Sequence, residues 1–226
     1  MFLEKNIKGL CDKFGLDYLE FLSDVGVDSV DELTVSDLEV ISEEYDVDLS
    51  ALLFHHVYKT NYLKGKLAKI KLLVIDVDGV MTDGGMYFTE SGDQFKKFNT
   101  KDGMAIIHLT RNDFQVAIIS SGFKGEAVTK RAEMLGIQHC SVSRNPKTET
   151  LKQICDELSI ELENVAMIGD DINDLEVMKK VGISACPRDA VYVVKSNATI
   201  QLNKKGGEAC VREFIDEYLL PSPLIK

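Results

Sequence analysis

Residues 71–83 read KLLVIDVDGVMTD, and this stretch predicts the first strand of a sheet together with a reactive site. The apolar run at 72–75 does not alternate with polar residues, which is typical of a strand covered on both faces. The run ends in Asp76, and Asp78 and Gly79 follow it. Carboxylates at the C-terminal end of a strand, beside a glycine turn, lie where open α/β sheets bind ligands.

The Asp-x-Asp pair has two interpretations. Carboxylates a few ångströms apart raise each other's pKa, so such a pair favours a bound cation or a reaction that uses both groups. A solvated acidic turn explains an isolated Asp-x-Asp equally well. Residues elsewhere in the chain distinguish these two interpretations.

The composition excludes several classes of protein. With 226 residues, the chain has room for one ordinary domain and a small additional one. A formal net charge of −11 argues against nucleic-acid binding, which needs a basic face. The five cysteines are odd in number and form no C-x-x-C pair, which predicts reduced thiols in a cytoplasmic protein. No apolar run reaches 18 residues and no secretory signal is recognisable, so we expect no membrane association.

Residues 1–66 differ in composition from the rest of the chain. They contain no Arg and no Pro, and they are rich in Asp and Glu. Their apolar positions follow helical spacing, which predicts three or four short helices. We therefore predict a small acidic helical domain over 1–66, with a docking or oligomerisation role, and a second domain over 67–226.

Local signals within residues 1–66 predict the helix starts. Ser36 with Glu39 three residues later is a capping-box pattern, and Asp48 is a candidate N-cap for the next helix. His55 and His56 are adjacent, so on a helix they point about 100° apart. That spacing favours an exposed polar pair over a metal site.

From position 72 onward, predicted strands alternate with predicted helices. This order indicates right-handed crossovers and a doubly wound parallel sheet in an α/β fold. The predicted strands cover 72–75, 115–120, 138–142, 164–169 and 182–185, with a further edge strand over 194–202. The predicted helices start near 102 and cover 125–135, 146–158, 175–181 and 210–219. Two short strands at 86–89 and 94–98 predict a β-hairpin around the turn at 90–93.

Polar residues follow the predicted strands. Ser120 ends the second strand and Ser121 follows it, Lys147 opens a helix, and an acidic cluster follows the fourth strand at Asp170, Asp171 and Asp174. Singly, Ser120 fits a helix cap, Lys147 a surface lysine, and the acidic cluster a helix start. Together with Asp76 they supply a nucleophile, a hydroxyl, a cation and further carboxylates, which are the groups that phosphoryl transfer requires.

The order of these strings resembles a known family. IDVDGVMTDG, AIIS, a Pro-Lys helix start and MIGDDINDLEVM match, in sequence, the four motifs of the haloacid dehalogenase-like phosphohydrolases over about residues 67–220. The resemblance implies that Asp76 is the nucleophile and Asp78 the general acid and base. It further implies phosphate binding by Ser120, Ser121 and Lys147, and a Mg²⁺ ion held by Asp76, Asp170 and the Asp78 carbonyl. Asp171 and Asp174 are expected to lie around these metal ligands without binding the ion themselves.

The segment between the first two motifs indicates which subclass of this family the chain resembles. A hairpin stands where other members insert a cap domain, and FN-x-x-DG at 98–103 and KGGEACVRE at 205–213 resemble the capless subclass. That subclass includes phosphatases of 3-deoxy-D-manno-octulosonate 8-phosphate and of nonulosonate 9-phosphates, and phosphatase-like domains of acylneuraminate cytidylyltransferases. The resemblance implies hydrolysis of a phosphorylated 2-keto-3-deoxy sugar acid through an aspartyl-phosphate. It also implies a homotetramer in which hairpins and C-terminal tails close neighbouring sites.

One departure leaves the substrate open. Octulosonate-specific members continue from the second strand with Thr-Gly-Arg or Thr-Gly-Gly-Arg, whereas this chain reads SSGFK at 120–124. Without that Arg, Lys124 or Arg212 is left to contact a substrate carboxylate. A nonulosonate 9-phosphate phosphatase is therefore an alternative. A further alternative is a weakly active regulatory module whose N-terminal helices recruit a partner such as a sugar-activating enzyme.

Overall fold

The structure is a computed structural model that describes residues 2–58, 61–122 and 125–220. The chain divides into two compact units, Met1–Lys64 and Gly65–Lys226. This division lies two residues before the boundary predicted from composition. The docking or oligomerisation role of the first unit stays a prediction.

The described part of the first unit is helical. Its helices are α1 (Phe2–Phe14), α2 (Tyr18–Val25), α3 (Val35–Glu44) and α4 (Leu49–Phe54), with a 3-10 turn at Val30–Glu32 between α2 and α3. A further helix, α5 (Asn61–Leu67), spans the division between the units. The helical content agrees with the apolar spacing, because each helix directs one apolar stripe into the core.

The helix caps of the first unit agree only in part with the sequence signals. Asp48 caps α4 as predicted, since its side chain accepts from the Ala51 N–H at 2.9 Å. The predicted Ser36–Glu39 capping box is wrong. The box is formed two residues earlier by Thr34 and Asp37, because Thr34 has the extended backbone of an N-cap whereas Ser36 lies inside α3.

Polar groups in the core of the first unit are satisfied by the backbone. The buried Asn6 amide donates to the carbonyls of Leu52 at 2.8 Å and His55 at 2.7 Å, and its oxygen accepts from the Val57 N–H at 3.2 Å. These bonds join α1 to α4 and to the segment that follows it. The predicted exposed histidine pair is wrong, because His56 is buried with its ring 4.9 Å from Phe2 and His55 is half-buried.

In its described part, the second unit is built on a six-stranded sheet of parallel strands. The strand order is β5-β4-β1-β6-β7-β8, where β2 and β3 form a separate hairpin. The strands are β1 (Leu72–Ile75), β2 (Tyr87–Phe88), β3 (Gln94–Phe95), β4 (Gln115–Ser120), β5 (His139–Val142), β6 (Val165–Ile168), β7 (Ile183–Cys186) and β8 (Ile200–Gln201). The predicted α/β doubly wound sheet is confirmed, and β1 and β4 have the predicted bounds.

Helices cover the sheet and account for its apolar strands. They are α6 (Thr100–Arg111), α7 (Glu126–Leu135), α8 (Lys147–Leu158), α9 (Leu175–Met178), α10 (Tyr192–Lys195) and α11 (Cys210–Phe214), with a π turn at Ile215–Leu219. Leu72 and Val74 pack in one cluster with Leu151 and Ile154 of α8. Leu73 is equally buried, and alternate residues of a strand point to opposite faces, so both faces are covered.

Two predicted elements of the second unit differ from the structure. The edge strand predicted over 194–202 is wrong up to residue 199, because α10 ends at Lys195 and residues 196–199 form a turn and a short connection, and only Ile200–Gln201 pair with β7. The helix expected near 102 begins two residues earlier, because Asn99 accepts from the Lys101 N–H at 2.9 Å and caps α6.

The predicted hairpin is present but shorter than expected. Tyr87 and Phe88 of β2 pair with Phe95 and Gln94 of β3. The Tyr87 and Phe95 rings stack at 5.6 Å, and the Phe88 and Phe95 side chains are more than half exposed. Among the described residues between 84 and 103, no inserted cap domain is present.

The structure bears on two expectations from composition, which concern the cysteines and membrane-spanning helices. The five cysteines are free thiols, four buried and one half-buried, as predicted. None of the described helices has the length and apolarity needed to cross a membrane.

Candidate active site

The predicted site residues converge at one edge of the sheet. Asp76 follows β1, Ser120 ends the neighbouring strand β4, and Asp170 follows β6 on the other side of β1. Lys147 opens α8, which follows β5. The carboxyl ends of parallel strands share one edge, so strand order alone brings these groups together.

Lys147 forms the centre of a buried ion-pair network. Its Nζ donates to Asp76 Oδ1 at 2.7 Å and to Asp174 Oδ1 at 2.6 Å, and all three side chains are at most 5% exposed. Burial alone would lower the pKa of Lys147, but the charges of Asp76 and Asp174 outweigh burial and raise it. Lys147 is therefore a fixed cation beside Asp76, unlike the surface lysine that sequence statistics favour.

Three carboxylates share this pocket. Oxygens of Asp76, Asp170 and Asp174 all lie within 4.8 Å of one another. Burial, followed by the charge of Asp174, raises the pKa of Asp76 to about 7. Burial and the charges of Asp76 and Asp174 raise the pKa of Asp170 to about 8. The single ammonium of Lys147 leaves this cluster short of positive charge.

The donor set fits a magnesium ion. The Asp170 Oδ1 atom is buried and has no hydrogen-bond partner among the described residues, although a buried carboxylate oxygen normally has one. Asp170 lies beside Asp76, and the burial of like charges raises the pKa of both carboxyl groups. Mg²⁺ takes one or two carboxylates with water and substrate phosphate oxygens. Asp76 and Asp170 are the residues here that could hold it.

Two glycines permit the close approach of the acidic residues. Gly79 has a φ of 90°, and a Cβ at this position would overlap the Asp170 carboxylate. A Cβ at Gly169 would overlap the side chain of Asp174. Glycine is therefore needed at both turns, after β1 and after β6, for the two acidic segments to meet.

The structure separates two residues that the sequence had grouped together. Asp174 lies inside the cluster, where one oxygen binds Lys147 and the other accepts from the Asp170 N–H at 3.1 Å. Asp171 is exposed, and its Oδ1 accepts from the N–H of Ile172 at 2.7 Å. Asp174 thus orients Lys147 and the Asp170 turn, whereas Asp171 only closes its own turn.

Asp78 has a partner that the sequence analysis missed. Its carboxylate pairs with the Lys96 ammonium, which comes from the hairpin segment directly after β3. The Asp78 side chain is 42% exposed, compared with 5% for Asp76, so the two carboxylates of the motif occupy different environments. The resemblance implies that hairpins close neighbouring sites in an oligomer, whereas this contact with Lys96 lies within one chain and no local sequence signal indicates it.

The remaining predicted residues fall into different positions. Ser120 is buried at the end of β4, beside β1, whereas Ser121 is exposed. Lys124 lies outside the described residues. Arg212 of α11 has partners elsewhere in the second unit: its Nε pairs with Asp216 in the following π turn, and its backbone N–H donates to Asp102 Oδ1 of α6 at 2.7 Å.

The KGGEACVRE segment supports the turn after β1. The Gly207 N–H donates to the Val80 carbonyl at 2.9 Å, and the Asn99 amide donates to the Gly207 carbonyl at 2.9 Å. A Cβ at Gly206 would overlap the Gly79 carbonyl. The sequence analysis used this string only for the resemblance, although its paired glycines are a signal of close backbone approach.

Comparisons with known proteins agree with the geometry. Residues 99–182 match the haloacid dehalogenase-like hydrolase family. The chain is 39% identical over 155 residues to the 3-deoxy-D-manno-octulosonate 8-phosphate phosphatase of Escherichia coli K12, a match that covers 69% of this chain and 82% of that protein.

Solved structures give the same result. The 3-deoxy-D-manno-octulosonate 8-phosphate phosphatase of Yersinia pestis superposes with a TM-score of 0.69 at 37% identity, covering 71% of this chain and 86% of that one. The Moraxella catarrhalis phosphatase, solved with magnesium, phosphate and the sugar acid, has a TM-score of 0.68 at 30% identity, covering 71% and 92%.

Proposed function

This chain belongs to the haloacid dehalogenase-like hydrolases, and from that premise we propose that it hydrolyses 3-deoxy-D-manno-octulosonate 8-phosphate or a close analogue. It is a phosphatase, as its relatives of 37–39% identity are. The observation that carries the proposed mechanism is the buried contact of 2.7 Å between Lys147 and Asp76, beside the unpartnered Asp170 oxygen.

Asp76 is the proposed nucleophile. Its carboxylate attacks phosphorus in line, the new O–P bond forms, and the bond from phosphorus to the sugar oxygen breaks. Asp78 gives a proton to the departing sugar oxygen and then takes one from the water that hydrolyses the aspartyl-phosphate. The products are inorganic phosphate and the free sugar acid, and both aspartates return to their starting states.

The cation chemistry is divided between the ion and Lys147. Bound by Asp76, Asp170 and the Asp78 carbonyl, Mg²⁺ would neutralise charge on the transferring phosphoryl group. Lys147 neutralises phosphoryl oxygens from the side of α8, and Asp174 holds its ammonium in place. Ser120 is the proposed hydroxyl donor to the same group, and the exposed Ser121 is the weaker of the two serine candidates.

A phosphate-release screen tests the proposal. The full chain would be assayed with and without Mg²⁺ on 3-deoxy-D-manno-octulosonate 8-phosphate, a nonulosonate 9-phosphate and glucose 6-phosphate. We expect Mg²⁺-dependent release with the highest kcat/KM on the octulosonate. Equal rates on glucose 6-phosphate, or turnover unaffected by chelation of Mg²⁺, would contradict the proposal.

The sequence at 120–124 differs from that of octulosonate-specific members, so one alternative substrate remains. SSGFK lacks the Arg that octulosonate-specific members carry at this point, and a nonulosonate 9-phosphate carries the same type of carboxylate, so this difference leaves both sugar acids as candidates. A higher kcat/KM on the 9-phosphate in the same screen would select this alternative. The third interpretation, a weakly active regulatory module, is opposed by the complete ion-pair network of Lys147.

We extend the proposal to a homotetramer in the cytoplasm. The hairpin exposes Met86, Phe88 and Phe95, and a two-stranded hairpin is marginal without a partner. Five free thiols suit a reducing compartment. Light scattering should show that Phe88→Ser with Phe95→Ser lowers the assembly state, while Met134→Ser, at an exposed position on α7, leaves it unchanged.

A further inference from the structure

The first unit contains a groove that the phosphatase reaction does not use. The groove has a volume of about 590 Å³ and lies between α2 and α3. Its floor is apolar, because Phe21 and Ile41 are buried beneath it and Tyr45 is half-buried, with ring centroids 6.4 Å from Phe21. Leu16 and Val40 line the same groove and are 40% and 59% exposed.

The rim of the groove is acidic. Five lining residues carry carboxylates, contributed by both helices and their caps: Asp17, Glu20, Asp24, Asp37 and Glu44. Among the described residues that line the groove, none is Lys or Arg. The sequence from 14 to 58 contains 12 Asp and Glu and no Lys or Arg, so no neighbouring cation in that segment offsets this charge.

We propose that this groove docks a basic amphipathic helix from a partner protein. The apolar floor fits the apolar stripe of such a helix, whose anchors recur at i, i+3, i+4 and i+7. The carboxylates on both sides fit Lys and Arg at the flanking positions of that helix. The inference goes beyond the proposed function, since none of the lining residues belongs to the phosphatase site.

Charge decides between the possible occupants. Residues 1–64 contain 14 Asp and Glu against 5 Lys, a formal charge of −9, whereas residues 65–226 contain 23 against 21 Lys and Arg, a charge of −2. A second copy of the first unit would therefore be repelled, and the second unit offers no net positive charge. Nucleic acid is excluded by the same sign. A basic partner is the occupant that satisfies both the floor and the rim.

The size of the groove agrees with a helical segment. About 590 Å³ is within the range of sites that bury a compact ligand or a few side chains of a peptide. The exposed Val40 lies on α3 between Asp37 and Glu44, so an apolar anchor inserted there would place flanking cations next to both carboxylates.

Binding of defined peptides to the full chain tests the inference. The probe is a helical peptide of about 18 residues with Leu on one face and Lys on the other. Its controls are a scrambled peptide of equal composition, in which the leucines share no face, and a peptide with Glu in place of Lys. Fluorescence anisotropy should show binding of the first peptide and at least about tenfold weaker binding of both controls.

Charge-reversed variants locate the site. Asp24→Lys with Glu44→Lys changes the rim and should weaken binding of the Lys/Leu peptide by about tenfold or more. Glu39→Lys with Glu43→Lys makes the same change in net charge at exposed positions of α3 outside the groove, and it should leave binding nearly unchanged. Val40→Ser should weaken binding and Val35→Ser, outside the groove, should not.

Several results would overturn the inference. Equal binding of the scrambled peptide, or equal weakening by the two charge-reversed pairs, would show only a general attraction to an acidic surface. Absence of binding by the wild-type chain at low millimolar peptide would reject the site. If Val40→Ser instead changes the oligomeric state in sedimentation, the occupant is a second copy of the chain and the proposed partner is wrong.

Discussion

The two units of this protein use acidic residues in opposite ways. The first unit carries −9 of the formal charge of −11, and nearly all of its carboxylates are exposed or half-buried. The second unit is close to neutral, yet it buries the carboxylates of Asp76, Asp102 and Asp174 to 4% exposure or less. The comparison shows that the number of carboxylates in a unit does not predict how many of them are buried, and that buried carboxylates are the ones whose pKa the fold raises most.

Buried polar groups in the two units show the same contrast. Asn6 in the first unit is bound on both its donor and acceptor sides by backbone groups. Asp170 in the second unit keeps a buried oxygen without a partner among the described residues. A satisfied group stabilises packing, whereas the unpartnered Asp170 oxygen lies within a cluster of carboxylates that could bind a cation.

The largest effect that we expect comes from the nucleophile. Asp76→Asn should lower kcat by about 10⁴-fold or more, because it removes the carboxylate that we propose as nucleophile and metal ligand while keeping the side-chain volume. The control is Asp24→Asn in the first unit, which should leave phosphate release unchanged. A folded Asp76→Asn protein with wild-type turnover would disprove the assignment.

Metal binding should distinguish the two aspartates after β6. Asp170→Ala should raise the Mg²⁺ concentration for half-maximal activity by about 10²-fold, because it removes a proposed ligand. Asp171→Ala should have a much smaller effect, since this exposed side chain only caps its own turn. Both thresholds can be read from titrations of activity, and isothermal calorimetry provides a readout independent of turnover. Equal losses in the two variants would contradict the assignment.

Asp102 is a buried carboxyl group of the second unit that we expect to affect folding stability. Burial raises its pKa from the ordinary 3.8 to about 6, while the Arg212 N–H opposes that change. The folded state then binds more protons than the unfolded state between these values, so the free energy of unfolding falls as pH rises from about 4 to above 6. Over this pH range, Asp102 changes the free energy of unfolding by at most about 3 kcal/mol.

Asp102→Asn should remove the part of this pH dependence that comes from Asp102, because the amide cannot ionise and can still accept from the Arg212 N–H, while the raised pKa values of Asp76 and Asp170 keep their own parts of the same sign. The measurement is urea unfolding between pH 4 and 8. Asp156→Asn, an exposed control on α8, should unfold with the wild-type pH profile. Identical profiles for the Asp102→Asn and wild-type proteins would show that the Asp102 carboxyl does not cause the effect.

The smallest effect concerns the segment that supports the turn after β1. Gly206→Ala should lower kcat by about tenfold, because the new Cβ would push on the Gly79 carbonyl and displace the residues next to Asp78. Gly65→Ala on α5 has open space around its Cβ and should leave kcat unchanged. Wild-type kcat in Gly206→Ala would show that the catalytic turn does not depend on this support.

Local sequence signals determined much of the second unit. The unalternating run at 72–75 and the one at 115–120 gave strands with the predicted bounds, because a strand covered on both faces needs apolar residues throughout. Where one segment offered competing signals, prediction failed. The apolar residues of 194–202 fit a strand or a helix, and in the fold α10 takes the first two of these positions while only Ile200–Gln201 form a strand.

The first unit shows where local rules fail. Ser36 and Glu39 have the spacing of a capping box, but Thr34 with Asp37 has it too, and the position at which the chain turns into α3 decides between them. The adjacent positions of His55 and His56 favour an exposed polar pair, but His56 is buried. Its burial follows from the path of the chain after α4, which no local pattern records.

The sequence by itself determined the order of the strands along the chain and the chemical groups at their ends. Parallel strands of a doubly wound sheet direct those ends to one edge, so Asp76, Ser120 and Asp170 could be assigned to one site from motifs alone. Only the tertiary structure decided that Asp174, and not Asp171, joins Lys147, and that Lys96 reaches Asp78. The physical reason is that strand topology places backbones, whereas distances of a few ångströms between side chains depend on turns, glycines and packing from distant segments.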